Sequence, residues 1–342
     1  MVNLIASSEQ QMIVDSVASF LDDAMPVSRL RRGTSDSERW TQMGELGLFG
    51  LSIPEADGGS GLGPVEEALV FRQLGRNLLS PGVIASAIGA NVAFVLGENA
   101  LAADIVAGNT RVALAQHRGL AGEDKRVCGS FQLYDPQGTD WILVVNDAGD
   151  AALVPRDAAI NDTVVASAVD ALAIHTASID TDPGLFAGRE HGLGARLPLL
   201  AGAMLAGVCD GARDLASDYA KMREQFGQPI GAFQAIKHKC ADMCVRADAV
   251  GSLLNYAAVA TALDRPDAAF QTTALKLLGG QYALISAKEA IQVHGGIGFT
   301  MECDAHHFLK RAHVYDQIGG TSRRQQQLLL LADPHLALDD AA

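Results

Sequence analysis

The chain has 342 residues, of which 49% are hydrophobic and 19% charged, enough apolar content for a large core spread over two or three domains. A formal net charge of −14 argues against a nucleic-acid backbone as the main partner and reads first as a solubility device. No run approaches the ~18 apolar residues of a membrane span, Met1-Val-Asn-Leu-Ile-Ala lacks the basic and apolar segments of a signal peptide, and five irregularly spaced cysteines fit a reducing compartment; the expected location is the cytoplasm.

Residues 1–110 read as a helical domain. Ser8 is the expected cap of a helix over Glu9–Leu21, and Trp40–Leu46 is a short helical piece. The loop Asp57-Gly-Gly-Ser-Gly-Leu-Gly63 is too rich in glycine for a helix interior. It has neither a Lys-Ser/Thr pair nor a buried strand before it, so a P-loop is not the reading. Glu66–Leu79 and Ser86–Val95 are the next expected helices.

Residues 111–186 read as a compact antiparallel β-domain. The expected strands are Arg111–Gln116, Ser130–Tyr134, Trp141–Val145, Ala151–Pro155 and Ala171–Ile179, separated by Asp/Gly/Pro/Asn turns. Residues 187–342 read as a helical bundle. Leu197–Met222 is apolar on most faces and is expected to be nearly enclosed. Ala235–Leu263 carries the stripe Ile236, Cys240, Met243, Ala247, Val250, Leu254. Asp267–Gln292 repeats it with Phe270, Ala274, Leu277, Leu284 and Ile291, and Asp264-Arg-Pro266 separates the two. Shorter helices are expected near 302–313 and 321–332. His238, Cys240 and Cys244 invite a metal reading, but the stripe assigns both cysteines to core packing.

Two segments carry chemistry. Arg223-Glu-Gln-Phe-Gly227 follows a long helix, where a guanidinium can fork to a phosphate, Gln225 can hydrogen-bond and Phe226 can wall a ring. Gln292-Val-His-Gly-Gly-Ile-Gly-Phe299 contains Gly295-Gly296, which permits close backbone approach. Taken alone, an Arg at a helix C-terminus only complements the dipole and a Gly-Gly only ends a helix.

Together with Phe233-Gln234, Thr321 and the stretch ELGLFGLSIPEADGGSGLG at 45–63, these segments resemble the signatures of the acyl-CoA dehydrogenases, over nearly all of 8–332. The resemblance implies that family's fold: an N-terminal helical domain, a small middle β-domain and a C-terminal four-helix bundle. It implies FAD as cofactor and α,β-dehydrogenation of an acyl-CoA thioester, with electrons passing to an acceptor protein. Arg223, Gln225 and Phe226 resemble residues that reach the pyrophosphate end of FAD held by a neighbouring subunit. Phe233, Gln234, Gln292, His294, Gly295 and Gly296 resemble the rest of that contact, Gly320 and Thr321 the turn at the flavin's adenosine half, and Arg196 an arginine beside the catalytic carboxylate.

The chain departs from that pattern where the base belongs. The two usual glutamate positions are Gly319 and Ala195, and neither accepts a proton. Asp316, Glu302 and Glu190 are the nearby acids. The flavin-ring motif of the β-domain is also absent: Gln116-His-Arg-Gly119 stands there, and His117 and Arg118 read as a solvated strand end. Three readings follow. The chain is a base-lacking subunit of a heteromeric, steroid-type acyl-CoA dehydrogenase, a heterotetramer with a full-length homologue; or a homomeric enzyme with a relocated base; or a flavin-free scaffold or CoA-thioester-binding protein.

Overall fold

The computed structural model describes residues 4–33, 36–117, 125–165 and 172–332. In chain order the α-helices and strands are α1 Ser8–Ala24, α2 Trp40–Glu45, α3 Pro64–Arg76, α4 Gly82–Val95, α5 Asn99–Val106, β1 Val112–His117, β2 Val127–Tyr134, β3 Trp141–Val145, β4 Ala151–Pro155, β5 Ala159–Val164, β6 Ile174–Thr181, β7 Leu185–Ala187, α6 Arg196–Met222, β8 Glu224–Gln225, β9 Gln228–Pro229, α7 Gln234–Ala262, α8 Ala268–His294, α9 Ala305–Gln317 and α10 Ser322–Leu331. Helices, then a sheet, then helices is the expected order. The chain divides into two compact units: residues 1–33, 64–78 and 198–342, and residues 34–63 and 79–197.

Among the described residues, the regular structure of the first unit is helical apart from the β8–β9 hairpin. Its first helix is capped by Ser7, not Ser8: the Ser7 hydroxyl accepts from the Gln10 N–H, and the Gln10 side chain accepts from the Ser7 N–H. Both serines have Gln three residues on, but the Gln11 side chain is turned to Asp15 and only Gln10 closes the reciprocal box, on Ser7. Helices α3 and α6 touch backbone to backbone. A Cβ on Gly75 would stand 2.1 Å from the Met204 carbonyl, and one on Gly207 2.0 Å from that of Arg72. Arg72 then binds buried Asp210 through two nitrogens at 2.7 and 3.1 Å.

Long α6 is enclosed over Leu199–Ala212, as its apolar faces require, and opens only toward its end. On α7, Met243, Ala247, Val250 and Leu254 are buried as expected, but Cys244 is exposed and Cys240 half-buried. Cys244 lies about 100° around the helix from Met243 and so falls off the stripe. No group of three metal-ligating side chains exists among the described residues. The expected stripe on α8 is also displaced. The buried face is Thr272, Leu275, Lys276, Gly279, Gly280, Ala283, Ser286, Ala287, Ala290 and Ile291, and of the predicted five only Ile291 is buried. Close helix packing selects small residues here: Leu275 sits on Gly202, and Gly279 faces Leu205. The last two helices begin at Ala305 and Ser322, later than sequence pattern placed the first of them.

The second unit is a seven-stranded sheet of order β5-β6-β2-β1-β3-β4-β7 with α4 laid against it. It is mixed rather than antiparallel, because β1 and β3 run parallel, Leu114 opposite Leu143. The cause is local: β2 turns back from β1 on one side, and β3 reaches β1's other side. One sheet face packs Phe131, Leu133, Ile142, Val154 and Ile179. Val112 and Leu153 meet α4 at Gly89. Helix α4 is buried from Gly82 to Ala93, which its uniformly apolar sequence demands, and starts four residues earlier than expected, directly after Pro81. Pattern reading omitted α5, β5 and β7; the last is only three residues, and β5 is exposed without alternation. No helix among the described residues is long and apolar enough to cross a membrane.

Candidate functional site

In the helical unit, α6 ends at Met222 and the chain reverses through β8 and β9. The Arg223 N–H donates to the Tyr219 carbonyl at 2.8 Å, and the Arg223 carbonyl accepts from the Ile230 N–H at 2.7 Å. Phe226 stands at φ 53°, so the tip of the hairpin is a left-handed pair with Gly227. These backbone bonds fix the hairpin and leave the Arg223 side chain exposed.

The end of α8 comes up beside it. Gly295 terminates the helix at φ 67°, a conformation that favours glycine, and Gly296 has open space where a Cβ would be. Together these elements enclose an open cleft of about 360 Å³ lined by Tyr219, Arg223, Gln225, Ile230, Val293, His294, Gly296 and Ile297. Four residues expected from sequence thus meet in one cleft. Tyr219, Ile230, Val293 and Ile297 were missed, although Tyr219 lies four residues before Arg223 and so on its helical face.

His294 is 7% exposed and stacks on Tyr219, ring centroids 4.1 Å apart. Its Nδ1 lies 2.7 Å from the Ala290 carbonyl, which can only accept, so Nδ1 carries the proton. Burial lowers the imidazole's proton affinity, opposed by the Ala290 bond and the more distant Asp304 carboxylate. The ring is therefore neutral at pH 7, with Nε2 an acceptor. The cleft offers one guanidinium, one amide, one acceptor nitrogen, a flat aromatic pair and a backbone without Cβ atoms. That donor set suits a phosphate attached to planar rings, and so fits the pyrophosphate end of a dinucleotide such as FAD.

The other expected residues do not line this cleft. Phe226, 93% exposed, meets Phe233 edge-on at 6.1 Å on the hairpin. Gln234 opens α7 and Gln292 lies on the last turn of α8, both exposed. Gly319, Gly320 and Thr321 form the α9–α10 turn, where Thr321 caps α10 by accepting from the Arg324 N–H.

Gly319 has φ 68° and Gly320 φ 101°. The position at which the resemblance leads one to expect a glutamate is thus a left-handed backbone position. Asp316, 7% exposed, accepts from the Ser322 hydroxyl at 2.8 Å and presses on Gly280. Glu302 is exposed on the turn before α9, ahead of the helix rather than at its cap.

In the sheet unit, Ala195 is exposed just before α6, and Arg196 opens that helix. The Arg196 guanidinium donates to Ser52 Oγ at 2.8 Å, and Asn91 donates to the same oxygen at 3.2 Å. Glu190 borders a broad cleft of about 860 Å³ with Lys125, Asn146, Arg189 and His191. His117 is not a solvated strand end. It is half-buried, edge-on to Phe131 at 4.9 Å, because Gly129 on β2 leaves room for the ring. Arg118 lies outside the described residues.

Residues 7–106 match the acyl-CoA dehydrogenase N-terminal domain, and residues 197–332 match the acyl-CoA dehydrogenase C-terminal domain. The chain is 32% identical over 309 residues to acyl-CoA dehydrogenase FadE34 of Mycobacterium tuberculosis, an alignment spanning 85% of this chain but 42% of that protein. It is 29% identical to acyl-CoA dehydrogenase IpdE2 of the same organism, over 91% of this chain and 92% of that one. Its fold matches a chain of the ChsE4–ChsE5 complex from Mycobacterium tuberculosis with a TM-score of 0.83 at 22% identity, covering 98% of this chain and 99% of that one. Both terminal domain families, in order and flanking a mixed sheet, place the chain in the acyl-CoA dehydrogenase family.

Proposed function

We propose that the chain is a subunit of a heteromeric acyl-CoA dehydrogenase, contributing its Arg223 cleft to FAD shared with a full-length homologue that supplies the catalytic glutamate. The observation that carries this reading is a pairing: Arg223, Gln225, His294 and Gly296 line one outward-facing cleft, while Gly319 offers no acid. Arg223 forks to the pyrophosphate, and the Tyr219–His294 pair supplies a flat wall beside it. Gly320 and Thr321 hold the adenosine half. FAD, when bound, supplies the acceptor for the hydride that leaves the β carbon of an acyl-CoA thioester. The partner's glutamate removes the α proton, and an acceptor protein reoxidises the cofactor. Arg196, oriented by Ser52 and Asn91, stays a substrate-site residue.

A homomeric enzyme with a relocated base is disfavoured by the surroundings of Asp316, whose carboxylate is committed to Ser322 in a buried niche. A flavin-free scaffold has no use for an exposed guanidinium beside a Cβ-free backbone. That a two-protein complex shares this fold supports a heteromer. The test is FAD per chain, measured for the chain alone and co-purified with a full-length homologue. The chain alone is expected to be poor in FAD and the pair to regain it. One FAD per chain in the isolated homomer refutes the shared site.

A further inference from the structure

A second cluster is built beneath the α9–α10 turn of the helical unit. Lys276 lies about a third of the way along α8 and is fully buried. Its Nζ donates to the Asp316 carbonyl at 2.9 Å and to the Gly320 carbonyl at 3.4 Å. Gln325, itself 2% exposed, donates to the Gly319 carbonyl at 2.7 Å and to that of Gly320 at 3.3 Å. Asp316 closes the cluster through its bond to Ser322. Gly280 makes the arrangement possible, because a Cβ there would stand 2.3 Å from Asp316 Oδ1.

This is an unusual place for an ammonium group. A buried charge is costly unless it is directly paired, and both hydrogen bonds of Lys276 go to carbonyls. Burial accordingly pushes its pKa down to about 8, only partly offset by the charge of Asp316. An apolar side chain of the same length would fill the space without that penalty. What the ammonium alone can do is bind two carbonyls four residues apart in a turn whose two central glycines, at φ 68° and 101°, have little conformational preference of their own.

We propose that Lys276 is a positioning residue: it draws the carbonyls of Asp316 and Gly320 inward and so presents Thr321 and the N–H groups at the start of α10 in one fixed geometry to the adenosine half of the cofactor. The second half of this statement rests on the shared-FAD reading; the first half does not. Methionine is unbranched and of similar length, and fills the same space without a donor.

Amide hydrogen exchange on the full chain tests the clamp without cofactor. Lys276→Met is expected to lower protection of the 318–322 amides by about tenfold, the loss of one or two hydrogen bonds, with amides inside α6 and α7 unchanged. Lys276→Gln, which keeps a donor on a shorter arm, is expected to lose less, and it serves if the Met variant does not fold. Unchanged protection at 318–322, or an even loss throughout α6 and α7, overturns the positioning role. FAD titration of the deflavinated complex with the homologue is the second arm. Weakening by about tenfold in Lys276→Met supports the link to the cofactor. A loosened turn with unaltered FAD affinity refutes that link alone. A wild-type complex that takes no FAD refutes the shared-site reading, and the exchange result still decides the clamp.

Discussion

Arg223→Ala separates a cofactor ligand from a helix-end ornament. The Arg223 side chain is exposed, and only its backbone N–H and carbonyl hold the hairpin, at 2.8 and 2.7 Å. Both bonds survive the substitution, so the cost to folding is expected within ~0.5 kcal/mol. Toward a phosphate the same side chain offers a fork of charge-assisted hydrogen bonds, each worth ~1.5–3 kcal/mol. Exposure and solvent screening favour the lower value, so two bonds amount to ~3 kcal/mol, or about 100-fold in affinity. Lysine keeps the charge and loses the fork, and Arg223→Lys is expected to be weaker than wild type by about tenfold. The assay is FAD titration of the deflavinated complex, followed by flavin fluorescence, beside a thermal melt of each variant. A melt lowered by several degrees with FAD affinity intact refutes the argument and makes Arg223 a structural cap.

Three further outcomes are expected. Gly319→Glu places a side chain at φ 68°, costs ~1 kcal/mol of stability by chemical denaturation, and does not by itself give the isolated chain turnover. Asp316→Asn and Glu302→Gln each leave turnover of the assembled enzyme within about tenfold, ~1.4 kcal/mol in the barrier, whereas a large fall for Asp316→Asn with FAD content intact identifies a relocated base. The pH dependence of Lys276 has a definite sign. Its folded pKa of about 8 lies below the ordinary value of 10.5, so the unfolded chain binds this proton more tightly. Relative to Lys276→Met, wild-type unfolding free energy should therefore rise between about pH 8 and 10.5, by ~3 kcal/mol at most. A flat difference across that window in urea melts contradicts the burial of a charged group.

The amino-acid sequence by itself determined the family, the helix–sheet–helix order and the long helices, because these rest on local signals. Asp264-Arg-Pro266 separates α7 from α8 whatever surrounds it, and the apolar run Ser86–Val95 reads as helix from its residues alone, although the helix in fact begins at Gly82. It also singled out Arg223, Gln225, His294 and Gly296, which the structure brings to one cleft, and exposed the absence of an acid at Gly319 and Ala195. What only the tertiary structure decided depends on which neighbours arrive. The buried face of α8 runs through Leu275, Gly279, Gly280 and Ala283 rather than Leu277 and Leu284, because Leu205 of α6 comes against Gly279 and Asp316 of α9 against Gly280. The parallel pairing of β1 with β3 depends on where β2 goes, and strand composition does not encode it. Tyr219 became a wall of the cleft only when His294 was laid over it from another helix. Lys276, one lysine among many in the sequence, acquired its place because folding closed α9 and α10 over it and left two carbonyls as its hydrogen-bond partners.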